Sequence, residues 1–303
     1  MNINLHNPVL LQEVLTLLPA GKGIKLVDAT LGGGGHSAAI IRTLVEKHTK
    51  FLHFAFDLDP LSWPRFQIAL AEAGVKFKGV DTTSLEIFDG NSKVGKVVYK
   101  RQNFSDLVNS EEKDFNFILA DLGLSQNQIK INNSGFTHSK TQGLDMRLDA
   151  KTQSVTAADI LNKLHVKGLQ KLLQEYAEVS NWPGLLKKIL AFRETKQFST
   201  TVDLNSIVFP AERNQVYQAL RIAVNSEYDN LQSLIAAADL KLVSAGRLAI
   251  ITFHSGEEKQ VTNALKQTTK KLHLVKVLKP TSRELNSNNS SRSAKLYNIV
   301  KVD

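Results

Sequence analysis

Apolar and polar positions alternate along the chain in two rhythms. Continuous apolar runs, "IKLVDA", "FLHFAFD", "GKVVYKR", "FNFILAD" and "GRLAIITF", read as strands covered on both faces, the mark of a largely parallel sheet. Amphipathic segments lie between them, beginning with "VLLQEVLTLL" ahead of the first strand. The alternation predicts an α/β doubly wound sheet. Two further strand-like runs, "LHLVKVL" and "KLYNIVKV", close the chain around the Asn/Ser-rich loop "NSNNSS".

The rhythm breaks after Asp121, where roughly 80 to 90 residues precede the next helix and strand, far more than an ordinary connection. A loop, "SQNQIKINNSGFTHSKTQGLDMRLD", leads into the helical patterns "TAADILNKL", "GLQKLLQEYAEV", "PGLLKKILAFRE" and "TVDLNSIV". Ser199 and Thr200 are cap candidates for the last of these. The pattern predicts a small all-helical domain over 136–214, inserted between a first part at 1–135 and a second at 215–303. The sheet then resumes through "VYQALRIAVNSEYDNLQSLIAAADLKL", where Leu220, Val224, Leu231, Leu234 and Ala238 recur near helical spacing.

At 303 residues with 42% hydrophobic and 22% charged residues, the chain can bury a sizeable core. It has no cysteine, which excludes disulfides, thiolate nucleophiles and thiolate-bound zinc. Lys and Arg total 38 against 29 Asp and Glu, and the resulting net charge of +9 favours a polyanionic partner such as RNA or DNA. No apolar run approaches the roughly 20 residues that span a bilayer, and the N-terminus lacks a leader pattern. The expectation is a cytoplasmic protein with no membrane partner.

The stretch "DATLGGGGHS", residues 28–37, supplies the chemistry. Clustered glycines after a strand bring bare backbone to a ligand, and a helix starting there aims free N–H groups at it. The loop is neither a P-loop, since no Lys-Ser/Thr follows, nor G-x-G-x-x-G, since Ser37 stands at the last glycine's place. It fits the loop that S-adenosylmethionine-dependent methyltransferases carry after their first strand. Asp57 in "FAFDLDP" is the candidate acceptor for ribose hydroxyls, with Asp59 as its competitor. His36, read from the loop alone, is a helix-start cap or surface residue.

Taken in order, "HNPVLLQEVL" from His6, "DATLGGGGHS", "DLGLS" from Asp121, "SGFTH", "GLDMRLD", "QALRIAVNSEYDNL", "GRLAIITFHS" and "SRSAKL" resemble the bacterial 16S ribosomal RNA cytosine-N4 methyltransferases, the RsmH or MraW family. The resemblance covers nearly the whole chain. It implies a Rossmann-like methyltransferase sheet with an inserted helical domain that helps grip RNA. It also implies S-adenosylmethionine as cofactor, held by Gly34, Gly35, His36, Asp57, Phe104, Asp121 and Gln128, with no metal. The partner implied is small-subunit ribosomal RNA or the assembling 30S subunit, and a homodimer is compatible with the family.

Asp121 doubles as the candidate catalytic carboxylate, the one that sequence order places nearest the methyl group. Asp145 and Arg147 in "GLDMRLD", and His254 and Ser255 in "TFHS", are candidates for holding the cytidine and its phosphates; their structural alternatives are a loop-ordering ion pair and a strand-end turn. Where the family usually reads "DLGVSSPQLD", this chain has "DLGLSQNQIK"; Gln215 and Lys259 stand where arginines are usual. The alternatives are a methyltransferase acting on another nucleic acid or a protein, and an RNA-binding member of the fold without turnover.

Overall fold

The computed structural model describes residues 7–123, 134–269 and 271–303. Two compact units account for the chain: one formed by Met1–Gly123 and Asn230–Asp303, the other by Leu124–Asp229.

The first unit is built on a nine-stranded sheet of order β3-β4-β5-β2-β1-β6-β7-β9-β8. Its centre is parallel: β5 (Ser92–Lys100), β2 (Phe51–Phe56), β1 (Ile24–Asp28), β6 (Phe115–Asp121) and β7 (Leu242–Thr252). The five apolar runs of the sequence form these strands. Antiparallel pairs flank them, β3 (Lys76–Asp81) and β4 (Ser84–Asp89) beyond β5, and β9 (Lys295–Lys301) and β8 (Leu272–Leu278) beyond β7.

Helices cover both faces, as the two-sided apolar strands require. On one face α1 (Leu11–Thr16), α2 (Gly35–Glu46) and α3 (Ser62–Glu72) bury Val14, Ile40, Ile41, Leu44, Phe66 and Leu70 against the sheet. On the other, α9 (Glu227–Lys241) and α10 (Ser255–Gln267) bury Leu231, Leu234, Ile235, Ala238 and Val261. The chain winds from β1 through β2 to β5 on one side, then returns to place β6 on the other side of β1. The strand order therefore reverses between β1 and β6, and open α/β sheets bind ligands outside the carboxyl ends of the strands at such a point.

The second unit holds α4 (Ala157–Lys163), α5 (Val166–Lys171, prolonged by a π-helical turn to Tyr176), α6 (Trp182–Thr195), α7 (Thr201–Ile207) and α8 (Arg213–Asn225). Capping boxes start two of them: Thr156 and Asp159 at α4, Thr200 and Asp203 at α7. Their apolar faces meet in a separate core that includes Leu161, Leu173, Ile189, Phe198, Leu204 and Leu220.

Three expectations change. The run from Val216 to Lys241 is two helices, because Ser226 sits in the left-handed region at φ 50° and ends α8. Leu220 and Val224 consequently belong to the helical core, whereas Leu231, Leu234 and Ala238 belong to the sheet core. The helical unit is accordingly wider than 136–214, since α8 packs Val216, Tyr217 and Leu220 into it. Lastly, the β3–β4 hairpin adds two strands between α3 and β5 to the strands read from the apolar runs.

Candidate active site

At the carboxyl end of β1 the backbone is pinned from both neighbouring strands. Ala29 N–H donates to the Leu119 carbonyl at 2.8 Å and Leu31 N–H to the Phe56 carbonyl at 2.9 Å. The glycine loop follows and runs into α2. Gly34 adopts φ +80°, and a Cβ there would lie 2.6 Å from the Phe66 Cα of α3. This glycine is needed for close helix packing as well as for the turn. A Cβ on Gly33 would meet nothing within 4 Å, so the loop has an open side. Gly35 is the first residue of α2.

Beneath the loop lies a buried polar chain. Ser37 Oγ donates to Asp28 Oδ2 at 2.5 Å and stands 2.8 Å from His53 Nε2, while Thr30 N–H donates to Asp28 Oδ1 at 3.0 Å. Burial pushes the His53 imidazole down to about 4, which keeps it neutral. His53 carries no motif signal of its own; only three-dimensional placement joins it to Ser37 and Asp28.

Asp57 and Asp59, equivalent in sequence, separate clearly. Asp59 is held in an ion pair with Arg65, 2.7 Å from Asp59 Oδ2 to Nη1. Asp57 turns toward the glycine loop, where Oδ2 accepts from Gly32 N–H at 2.6 Å and Oδ1 accepts from Asp59 N–H at 2.8 Å. Burial raises its pKa to about 6 against the pull of these two N–H donors. Phe104 opens a short 3₁₀ helix after β5 and is half-buried beside the second sheet core.

Asp121 ends β6, next to the strand-order reversal. Its N–H donates to Thr30 Oγ1 at 2.7 Å. Oδ2 lies 3.6 Å from His36 Nδ1, and Oδ1 is buried with no hydrogen-bond partner. Burial raises this carboxyl to about 6; His36 opposes the rise, and Asp28 and Glu257 add to it by like-charge repulsion. His36 itself is 8% exposed, with Nε2 2.9 Å from the Val9 carbonyl. This corrects the cap-or-surface expectation: as the second residue of α2 its ring points inward, between the N-terminal segment and Asp121.

His254 is the N-cap of α10, where Nδ1 accepts from Glu257 N–H at 3.3 Å and Nε2 lies 3.2 Å from Glu257 Oε1. Glu257, buried and also accepting from Phe253 N–H at 2.7 Å, is a charged site neighbour that the motif reading passes over. Ser255 begins α10. Asp145 and Arg147 belong to the helical unit and bind each other: Arg147 Nε and Nη2 reach the two Asp145 oxygens at 2.7 and 2.9 Å. Arg147 holds the Asp145 carboxyl below its usual range and also donates to the Gln153 carbonyl. Gln128 and His6 lie outside the described residues. Among the described residues no group of His, Asp and Glu has the arrangement of a metal site, and no helix is long and apolar enough to cross a membrane.

A doubly wound sheet with a glycine loop after β1, a carboxylate at the end of β2 and another at the end of β6 defines the class of nucleotide-cofactor enzymes to which Rossmann-like methyltransferases belong. The sequence profile of the MraW methylase family matches residues 3–302, and the chain belongs to that family. It is 31% identical over 321 aligned residues to the ribosomal RNA small subunit methyltransferase H of Mycoplasmopsis synoviae, with 99% of each chain covered. The proteins of the same name from Borrelia turicatae and Dictyoglomus thermophilum are 33% and 34% identical, covering 98% and 97% of this chain and 98% and 95% of their own. The chain is thus a methyltransferase that uses S-adenosylmethionine.

Proposed function

We propose that this enzyme methylates the exocyclic N4 amine of a cytidine in small-subunit ribosomal RNA. The carrying observation is the Asp121 carboxylate, part-exposed at the carboxyl end of a central strand and not saturated with hydrogen-bond donors.

The residues present fit the cofactor. The open side over Gly33 leaves room for a ligand against the backbone, and Asp57 retains lone pairs for ribose hydroxyls. Phe104 offers an aromatic face for adenine. Gly34, Gly35 and His36 place the start of α2 beside that room. When bound, S-adenosylmethionine supplies a methyl group on a cationic sulfur. The buried carboxylates of Asp28 and Glu257 and the part-buried one of Asp121 make the surroundings negative, which suits a cation.

Cytosine's amine is a poor nucleophile, because its lone pair is delocalised into the ring. The Asp121 carboxylate, partly exposed at the strand end, would accept a hydrogen bond from one amine N–H and so fix the nitrogen with its lone pair free for transfer. As the bound cofactor gave up its methyl group to the amine, Asp121 would take the surplus amine proton, a role its raised pKa suits. His36, 3.6 Å from Asp121 Oδ2, holds the carboxylate in place. A base must leave its stack to reach such an acceptor. His254 and Ser255 at the end of β7, and the Asp145–Arg147 pair in the helical unit, are the proposed contacts to the cytidine and its phosphates.

The test is transfer from labelled S-adenosylmethionine to small-subunit particles lacking their own modification, followed by nuclease digestion and mass identification of the nucleoside. N4-methylcytidine is the expected product. Particles that stay unlabelled beside a cofactor-binding protein would overturn the proposal.

A further inference from the structure

The β3–β4–β5 corner of the sheet has two unlike faces. Phe77, Leu85, Ile87 and Val97 point into the first sheet core. The opposite face carries two cross-strand rows, Lys78–Glu86–Lys96 and Lys76–Phe88–Lys93. Lys76, Lys78 and Lys93 are exposed, with Lys96 and Phe88 half-buried. Glu86 is the one carboxylate in the two rows; Lys93 bonds it at 2.6 Å, and Lys93, Lys78 and Lys96 together hold it below the usual range. Lys100 continues the same face along β5, and its carbonyl accepts from Asp57 N–H at 3.3 Å. The lysines therefore flank Val98, which packs against the second sheet core, and reach the ligand edge at Lys100. From Lys93 to Lys100 they span about 23 Å at strand rise.

Lysines on an edge strand commonly guard against edge-to-edge pairing. That role accounts for β3. It leaves Lys96 and Lys100 unexplained, since β5 is an interior strand paired with both β4 and β2, whereas Lys93 pairs with Glu86.

We infer that this lysine-lined face binds the sugar-phosphate backbone of the RNA substrate and leads it toward the carboxyl edge of the sheet. The inference rests on the RNA reading above. Phosphate contacts of this kind set register without reading sequence, and Phe88 among the lysines gives a flat surface for a base.

The experiment is the triple variant Lys76→Gln, Lys78→Gln, Lys96→Gln, with unmodified small-subunit particles as the RNA probe. Calorimetric affinity for S-adenosylmethionine should match the wild type. KM for particles should rise about tenfold with kcat retained, and the slope of log affinity against log salt should fall by about two, near 0.7 for each lost single-strand contact. The matching Lys→Arg triple should restore binding. A Gln triple with wild-type particle affinity and salt slope overturns the inference, whereas a wild-type enzyme that methylates no RNA overturns the RNA reading itself. Should the Gln triple misfold, acylation footprinting of the wild type decides. Protection of Lys76, Lys78 and Lys96 by particles supports the face, and unchanged reactivity refutes it.

Discussion

Asp121 combines a buried, unpartnered oxygen with a raised pKa, and the two properties predict opposite effects of one substitution. Asp121→Asn removes the proton acceptor, so kcat should fall by at least about 100-fold. The same change removes a buried charge. A carboxyl whose folded pKa is about 6 instead of 3.8 loses stability as pH rises between those values, with the full penalty above 6. The variant should therefore melt above the wild type at pH 8, and the gap should close toward pH 4.5, which thermal unfolding across that range would reveal. Asp57 carries a similar shift but a different task. Protonation below about pH 6 costs it an acceptor, so calorimetric affinity for S-adenosylmethionine should weaken from pH 8 to pH 5. Asp57→Asn should bind weakly at both pH values. That Asp57 and not Asp59 is free for this role could not be read from "DLD"; it depends on Arg65, six positions beyond Asp59, closing an ion pair across a helix turn.

Elements differ in how openly the sequence announces them. The five central strands are legible through their apolar runs, which in β5 narrow to "VVY" between lysines. β3 is hidden by its alternating lysines and its turn to β4 has no glycine, although "FDGNSK" offers a Gly-Asn turn from β4 to β5, between paired Asp89 and Ser92. The α8–α9 break is hidden for another reason, since serine rather than glycine occupies the left-handed position at 226. The glycine loop is legible as a binding loop, yet Gly34 has a second duty against Phe66 that only packing shows. Gly34→Ala combines a left-handed backbone with an overlap at 2.6 Å, and it should cost about 2–4 kcal/mol in denaturant unfolding. The α7 cap at Thr200 was open to sequence reading. Thr200→Ala should cost about 1 kcal/mol, with faster amide exchange in the helical unit while the sheet amides stay protected.

At the scale of the whole molecule, one unit is continuous in sequence and the other is not. All the buried residues of the helical core come from within Leu124–Asp229, while the sheet recruits strands from both sides of that segment. β6 pairs with β1 on one edge and with β7 on the other, yet β7 begins about 120 residues after β6 ends. At ribosomal speeds of 5–20 residues per second, the second edge of β6 waits roughly 6–24 s for its partner. During that interval the nascent chain holds half a sheet with an apolar strand, Phe115–Asp121, bare along one side. The helical unit needs nothing from the chain still to come and can close first. The enzyme's hazard in synthesis thus lies in the waiting half-sheet, and slow translation between residues 121 and 242 is the condition under which it would aggregate.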